Sequence, residues 1–381
     1  PEVSPGNIHF STGGFVKITL RSAALFGAAA LVVAACGTAP DDETDSAGAP
    51  DDTADAGTEQ VDFQACMVSD AGGIDDRSFN ASAWKGLQDA ESELGVSAKF
   101  VESQAETDYA PNINSLLQED CGLIVTVGFL MGDATYEAAP ENPDQLFAIV
   151  DNEPEEAIDN VKPLLFDTAQ AAYLAGYLAA GLTETGTVAT FGGAPIPPVT
   201  VFMDGFVDGV AKYNEDKGGD VQVLGWDKES GNGSFTGDFD DQNKGKQVTA
   251  NFIQQGADII LPVAGPVGLG AAAAAQEADG VNLIWVDSDG YESAPDYSEL
   301  FITSVLKRID TSTSVATEDA LSGEFSNETY VGTLENEGVG LAPYHDFEDV
   351  ISDELKAEVD ALREAIISGE IVVESDSSPK A

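Results

Sequence analysis

Positive charge is in short supply in this chain. Its 381 residues carry 16 Lys and Arg against 68 Asp and Glu, a formal net charge of −52. DNA, RNA and anionic lipid surfaces all need a basic face to bind, so partners of that kind are not expected. Histidine and cysteine are scarcer still, at two and three. His9 stands in the leader and His345 in a loop, which leaves little to build a metal cluster from. No G-x-S-x-G, P-loop or H-E-x-x-H motif occurs. Nothing here specifies catalysis, and neither a catalytic residue nor a cofactor is expected. A long apolar run is missing too: "AALFGAAALVVAACG" falls short of the ~20 residues that a membrane-spanning helix needs.

That run does have the length of a signal-peptide core, with Lys17 and Arg21 ahead of it and small residues behind. "VAAC" followed by Gly37 is similar to a bacterial lipobox, in which Cys36 is acylated and becomes the mature first residue. Residues 1–36 are therefore expected to be a lipoprotein leader. Translation is expected to begin at Val16, read as an alternative start codon, with residues 1–15 untranslated. Residues 37–60, "GTAPDDETDSAGAPDDTADAGTEQ", are acidic and nearly free of large apolar side chains. Such a stretch cannot bury enough area to offset its ordering entropy, so a flexible tether is expected. The expected location is the extracytoplasmic face of the cell membrane, with a lipid on Cys36 as anchor.

From Val61 onward, apolar runs alternate with amphipathic ones. "FQACMVSD", "AKFVES", "LIVTVGF" and "LFAIVD" read as strands, separated by helical "SAWKGLQDAESELG" and "PNINSLLQED". The pattern restarts with "AQAAYLAGYLAAGL", "TVATFGG" and "VFMDGFVDGVAKYNE" and runs on to "NLIWVDSD". Two such units predict an α/β protein with two doubly wound lobes, parallel sheets and a cleft between them. In a doubly wound sheet the first and third strands are neighbours, so Cys66 and Cys121 form either a disulfide or two buried thiols.

Ligands on open parallel sheets bind beyond the carboxyl ends of the strands. Asp70, Asp151, Gly265 and Asp287 all stand there, each directly after an apolar strand. A single acid at such a point is usually a cap or turn residue. Its recurrence in both halves points instead to a polar ligand rich in hydroxyl or N–H donors. Phosphate fits poorly with so much negative charge. "AGPVGLGAAAAA" has its glycines in the order G-x-x-G-x-G, which reads as a tight strand-to-helix turn and not as a dinucleotide fingerprint.

"VSDAGGIDDRSFNASAWKGL", "AAYLAGYLAAGL", "GDFDDQNKGKQ", "GADIILPVAG", "WVDSD" and "TSVLKRID" follow one another over nearly all of residues 61–345. Together they resemble the Bmp/PnrA-type basic membrane lipoproteins. The resemblance implies a type I periplasmic-binding-protein fold with three crossovers, serving as the substrate-binding lipoprotein of an ABC importer. It also implies a purine nucleoside as ligand, an ABC permease as partner, and a monomer. On that pattern Phe79 stacks on the base, with Phe239 opposite and Phe235 as its alternative. Asn80 and Asp151 read base edges, Asp70 and Asp287 take ribose hydroxyls, Lys307 donates to a hydroxyl, and Gly265 lies close to the sugar. The lobes are expected at 61–166 with 292–325 and at 167–291 with 326–381. A binding protein or sensor for another small ligand, such as a pentose or a signalling furanoside, suits the same fold. Arginines on the sugar favour that alternative, whereas a second stacking aromatic favours a base.

Overall fold

The structure is a computed structural model and describes residues 60–380. The leader, Cys36 and the tether up to residue 59 lie outside the described residues. From Gln64 strand and helix alternate: β1 (Gln64–Ala71), α1 (Phe79–Leu94), β2 (Ser97–Ser103), α2 (Tyr109–Leu116), β3 (Leu123–Val127), α3 (Gly132–Glu141), β4 (Leu146–Val150) and β5 (Val161–Phe166). The pattern then repeats. It runs through α4 (Thr168–Leu182), β6 (Thr187–Gly192), α5 (Pro197–Lys217), β7 (Gln222–Leu224) and a small hairpin of β8 (Trp226–Asp227) and β9 (Asn232–Gly233). Next come α6 (Gln242–Gln254), β10 (Ile259–Val263), α7 (Val267–Gln276), β11 (Asn282–Asp287), α8 (Gly290–Ser293) and β12 (Phe301–Lys307). Last are α9 (Ile309–Ser322), β13 (Tyr330–Gly332), β14 (Val339–Leu341) and α10 (Asp353–Ile367).

Two six-stranded sheets result, ordered β13-β5-β4-β3-β1-β2 and β14-β12-β11-β10-β6-β7. The first is parallel throughout, and in the second only β14 runs antiparallel, against β12. Each sheet follows the doubly wound order in which the first strand lies between the second and third. Helices cover both faces, so central strands are apolar on both sides. "LIVTV" of β3 and "IILPV" of β10 are buried at every position, as parallel strands between helix layers must be. Among the described residues no helix is long and apolar enough to cross a membrane.

The chain passes between the sheets three times, from Phe166 into α4, from Lys307 into α9, and from β13 to β14. The crossing segments are bonded to one another, Asp167 N–H to the Gly332 carbonyl at 2.8 Å and Arg308 N–H to the Gly338 carbonyl at 2.9 Å. This pairing moves the lobe bounds expected from sequence. "FITSVLK" of β12 is an apolar run that completes the second sheet beside β11, so residues 301–307 belong to the second lobe. β13 pairs with β5 and belongs to the first. Cys66 in β1 and Cys121 just ahead of β3 are joined by a disulfide, with Cα atoms 5.9 Å apart.

Candidate functional site

The carboxyl ends of both sheets face one cavity. Asp70, Phe79, Asn80, Asp151, Phe239, Gly265, Asp287 and Lys307, all nominated from sequence, line it. Phe235 does not. It bridges to Gly192 and sets its ring edge-on to Trp226, 5.9 Å between centres. Phe239 is seated against Gly193, where a Cβ would come within 2.3 Å of the ring. Phe79 belongs to the first lobe and Phe239 to the second, so the cavity has an aromatic contribution from each side.

The turn between β1 and α1 delivers the first-lobe groups. Gly72 and Gly73 take φ of +138° and +67°, conformations that glycine adopts without steric cost. Asp76 then accepts from the backbone N–H groups of Ser78, Asn80 and Ala81, at 3.0, 2.7 and 2.9 Å. This carboxylate caps α1 and fixes Phe79 and Asn80 at the cavity wall. Burial pushes its carboxyl up to about 6, against those three hydrogen bonds.

The polar groups form two clusters. In one, Asn80 Nδ2 donates to Asp70 Oδ1 at 2.7 Å. Asn80 is 2% exposed, and its Oδ1 is buried with no hydrogen-bond partner. A buried acceptor left without a donor is costly. In the other, Lys307 Nζ donates to Asp151 Oδ2 at 2.5 Å, with both side chains buried. The ammonium lies 4.9 Å from the ring centre of Phe79, 5.3 Å from Phe166 and 5.9 Å from Phe202, a cation–π cage. Burial raises the carboxyls of Asp151 and Asp287, and the Lys307 charge pulls both back down. Asp151 and Asp287 both hold φ of +68°, uncommon for a residue with a side chain.

Asp70 is strongly perturbed as well. Loss of water inside the cleft pushes its carboxyl up to about 8, with Asp76, Asp240 and Asp151 adding to the rise and the Asn80 bond opposing it. The folded protein therefore holds this proton more tightly than the unfolded chain does. That stability is fully present below pH ~4 and is lost as pH rises through about 8. Asp70→Asn should melt like the wild type at pH 4 and higher by several degrees at pH 9, at about 2–4 °C per kcal/mol. Parallel melting curves across that range would contradict the assignment.

Part of the site is not among the residues expected from sequence. The apolar wall includes Ile196, Pro198, Val199 and Phe202 around the start of α5, together with Phe129, Leu130 and Pro266. "GGAPIPPVT" follows a strand and opens a helix with Pro197 and Pro198. The rule that strand ends carry the ligand would have found it.

The family model described as Bmp, ABC transporter substrate-binding protein PnrA-like, matches residues 63–377. The chain is similar to the ABC transporter nucleoside-binding protein BmpA of Lactococcus lactis, 33% identical over 338 residues, 84% of this chain and 91% of that one. It is also similar to the CD4+ T-cell-stimulating antigen of Listeria innocua, 31% identical over 365 residues, 91% of this chain and 95% of that one. Among solved structures, an ABC transporter solute-binding protein from Aeropyrum pernix superposes with a TM-score of 0.74 at 28% identity, over 82% of this chain and 94% of the other.

Proposed function

The chain belongs to the Bmp family of PnrA-like ABC transporter substrate-binding proteins, and from that premise we propose that it captures purine nucleosides in the interlobe cleft. One observation carries the reading: Phe79 and Phe239 line a single cavity from opposite lobes. A base held between two rings is stabilised by about 1–3 kcal/mol per stacking partner. The two polar clusters then divide the ligand. Asn80 Oδ1 takes an N–H donor of the base, with Asp70 beside it. Asp287, Lys307 and Asp151 take the ribose hydroxyls, and Gly265 leaves open space at the sugar. This exchanges the roles expected for Asp70 and Asp151, because Asp70 is bonded to Asn80 and Asp151 to Lys307.

The reading extends to the cell. A lipid on Cys36 holds the protein at the extracytoplasmic membrane face, and the closed, loaded form hands its ligand to an ABC permease.

Isothermal titration with inosine, guanosine and adenosine tests the stacking pair. Phe79→Ala and Phe239→Ala should each weaken all three by tenfold or more, for about 1–3 kcal/mol. Phe235→Ala should leave binding within about twofold. Ribose binding as tightly as inosine would support the pentose reading in its place.

A further inference from the structure

Helix α1 opens with a serine that does not cap it. Ser78 holds the N-cap position with no side-chain hydrogen bond to its own helix, although serine is among the residues best suited to that task. Asp76 performs the capping, and the hydroxyl of Ser78 crosses the cleft. It donates to Asp287 Oδ2 at 2.6 Å and stands 3.4 Å from the Val286 carbonyl, both in the second lobe. Its neighbour Arg77 is held at φ +63° and also reaches that lobe. The Arg77 carbonyl accepts from Ser288 Oγ at 2.9 Å and Trp285 Nε1 at 3.3 Å, and Arg77 Nη1 donates to the Ser293 carbonyl at 3.3 Å.

We propose that Arg77 and Ser78 form a latch between the lobes, which holds the cleft shut and positions Asp287 for the ligand. All of these bonds join one lobe to the other, so they exist only in the closed protein. Ser78 is fully buried, and its single proton commits one oxygen of Asp287, a residue that also lines the cavity. A hydroxyl donating to that carboxylate also favours the ionised form against the effect of burial. The receiving segment is braced from behind. His345 Nε2 bonds Asp289 Oδ2 at 2.7 Å and stacks on Tyr291 with ring centres 4.0 Å apart. Closure therefore draws on contacts of the protein with itself, and the ligand need not bridge the lobes alone. The latch stands whatever ligand the cleft takes; its effect on nucleoside release rests on the reading above.

Single-molecule energy transfer between dyes on one cysteine introduced into each lobe reports opening, without ligand and with guanosine. Ser78→Ala should shorten the closed-state lifetime about tenfold or more, the effect of a lost hydrogen bond to a charged group. Guanosine dissociation should quicken by a similar factor, with association changed less. Ser78→Thr keeps the hydroxyl and should restore the lifetime. Ser288→Ala removes one bond to Arg77 outside the cavity and should shorten the lifetime by roughly two- to fivefold. Equal lifetimes for the wild type, Ser78→Ala and Ser288→Ala would overturn the latch. If guanosine leaves the wild type unchanged while Ser78→Ala still alters ligand-free closing, the nucleoside reading fails and the latch holds.

Discussion

Lys307→Met should destabilise the protein by about 3–5 kcal/mol, the cost of leaving a buried charge without its partner. Lys307 and Asp151 have side chains only 3% and 6% exposed, and they meet at 2.5 Å. With the ammonium gone, Asp151 keeps its burial and its repulsion from Asp287 but loses the charge that lowers both acids. Its carboxyl then rises further, so the loss should be greater at pH 7 than at pH 5, where protonation relieves it. Adding Asp151→Asn to Lys307→Met removes the orphaned charge and should recover most of the stability, since deleting both members of a buried pair is often close to neutral. On the proposed reading binding should not recover, because Lys307 is there the donor at the sugar end of the cavity. Urea denaturation of the two variants checks the argument. Equal stability for the single and double variants would contradict it.

The disulfide supplies the second large effect. Cys66 and Cys121 are 55 residues apart in sequence, and closing a loop of that length stabilises by about 4 kcal/mol in the chain-entropy account. Cys66→Ala with Cys121→Ala should lose about that much stability. Reductant should lower the melting temperature of the wild type and leave the double variant unmoved. A wild type indifferent to reductant at its melting temperature would contradict the expectation. The bond ties β1, the strand that carries Asp70, to the approach of β3.

Strand ends were the most legible part of this protein. "CMVSD", "FAIVD" and "LIWVD" each carry an apolar run into an acid, and in a parallel sheet that pattern has only one end of the sheet to go to. The register of Phe239 against Phe235 was less accessible. Both rings sit in one long loop, and only the packing of Phe239 on Gly193 and of Phe235 on Trp226 separates them. β5 and α3 carry Pro163 and Pro140, which disguise a strand and a helix as loops. The lobe bounds shifted because β12 joins the second sheet immediately before the chain crosses to α9, and no local signal marks a crossing. Ser78 is the clearest case of a role that only tertiary structure reveals. Its position next to a helix start reads as a cap, yet Asp76 fills that role and Ser78 faces the other lobe.

A crystal structure of the protein grown with inosine tests the central claim most directly. The account predicts the purine ring between Phe79 and Phe239, an N–H of the base on Asn80 Oδ1, and the ribose at Asp287 and Lys307 with Ser78 still bonded to Asp287 Oδ2. Inosine bound with its base outside the two rings, or with its sugar at Asp70 and Asn80, would contradict it.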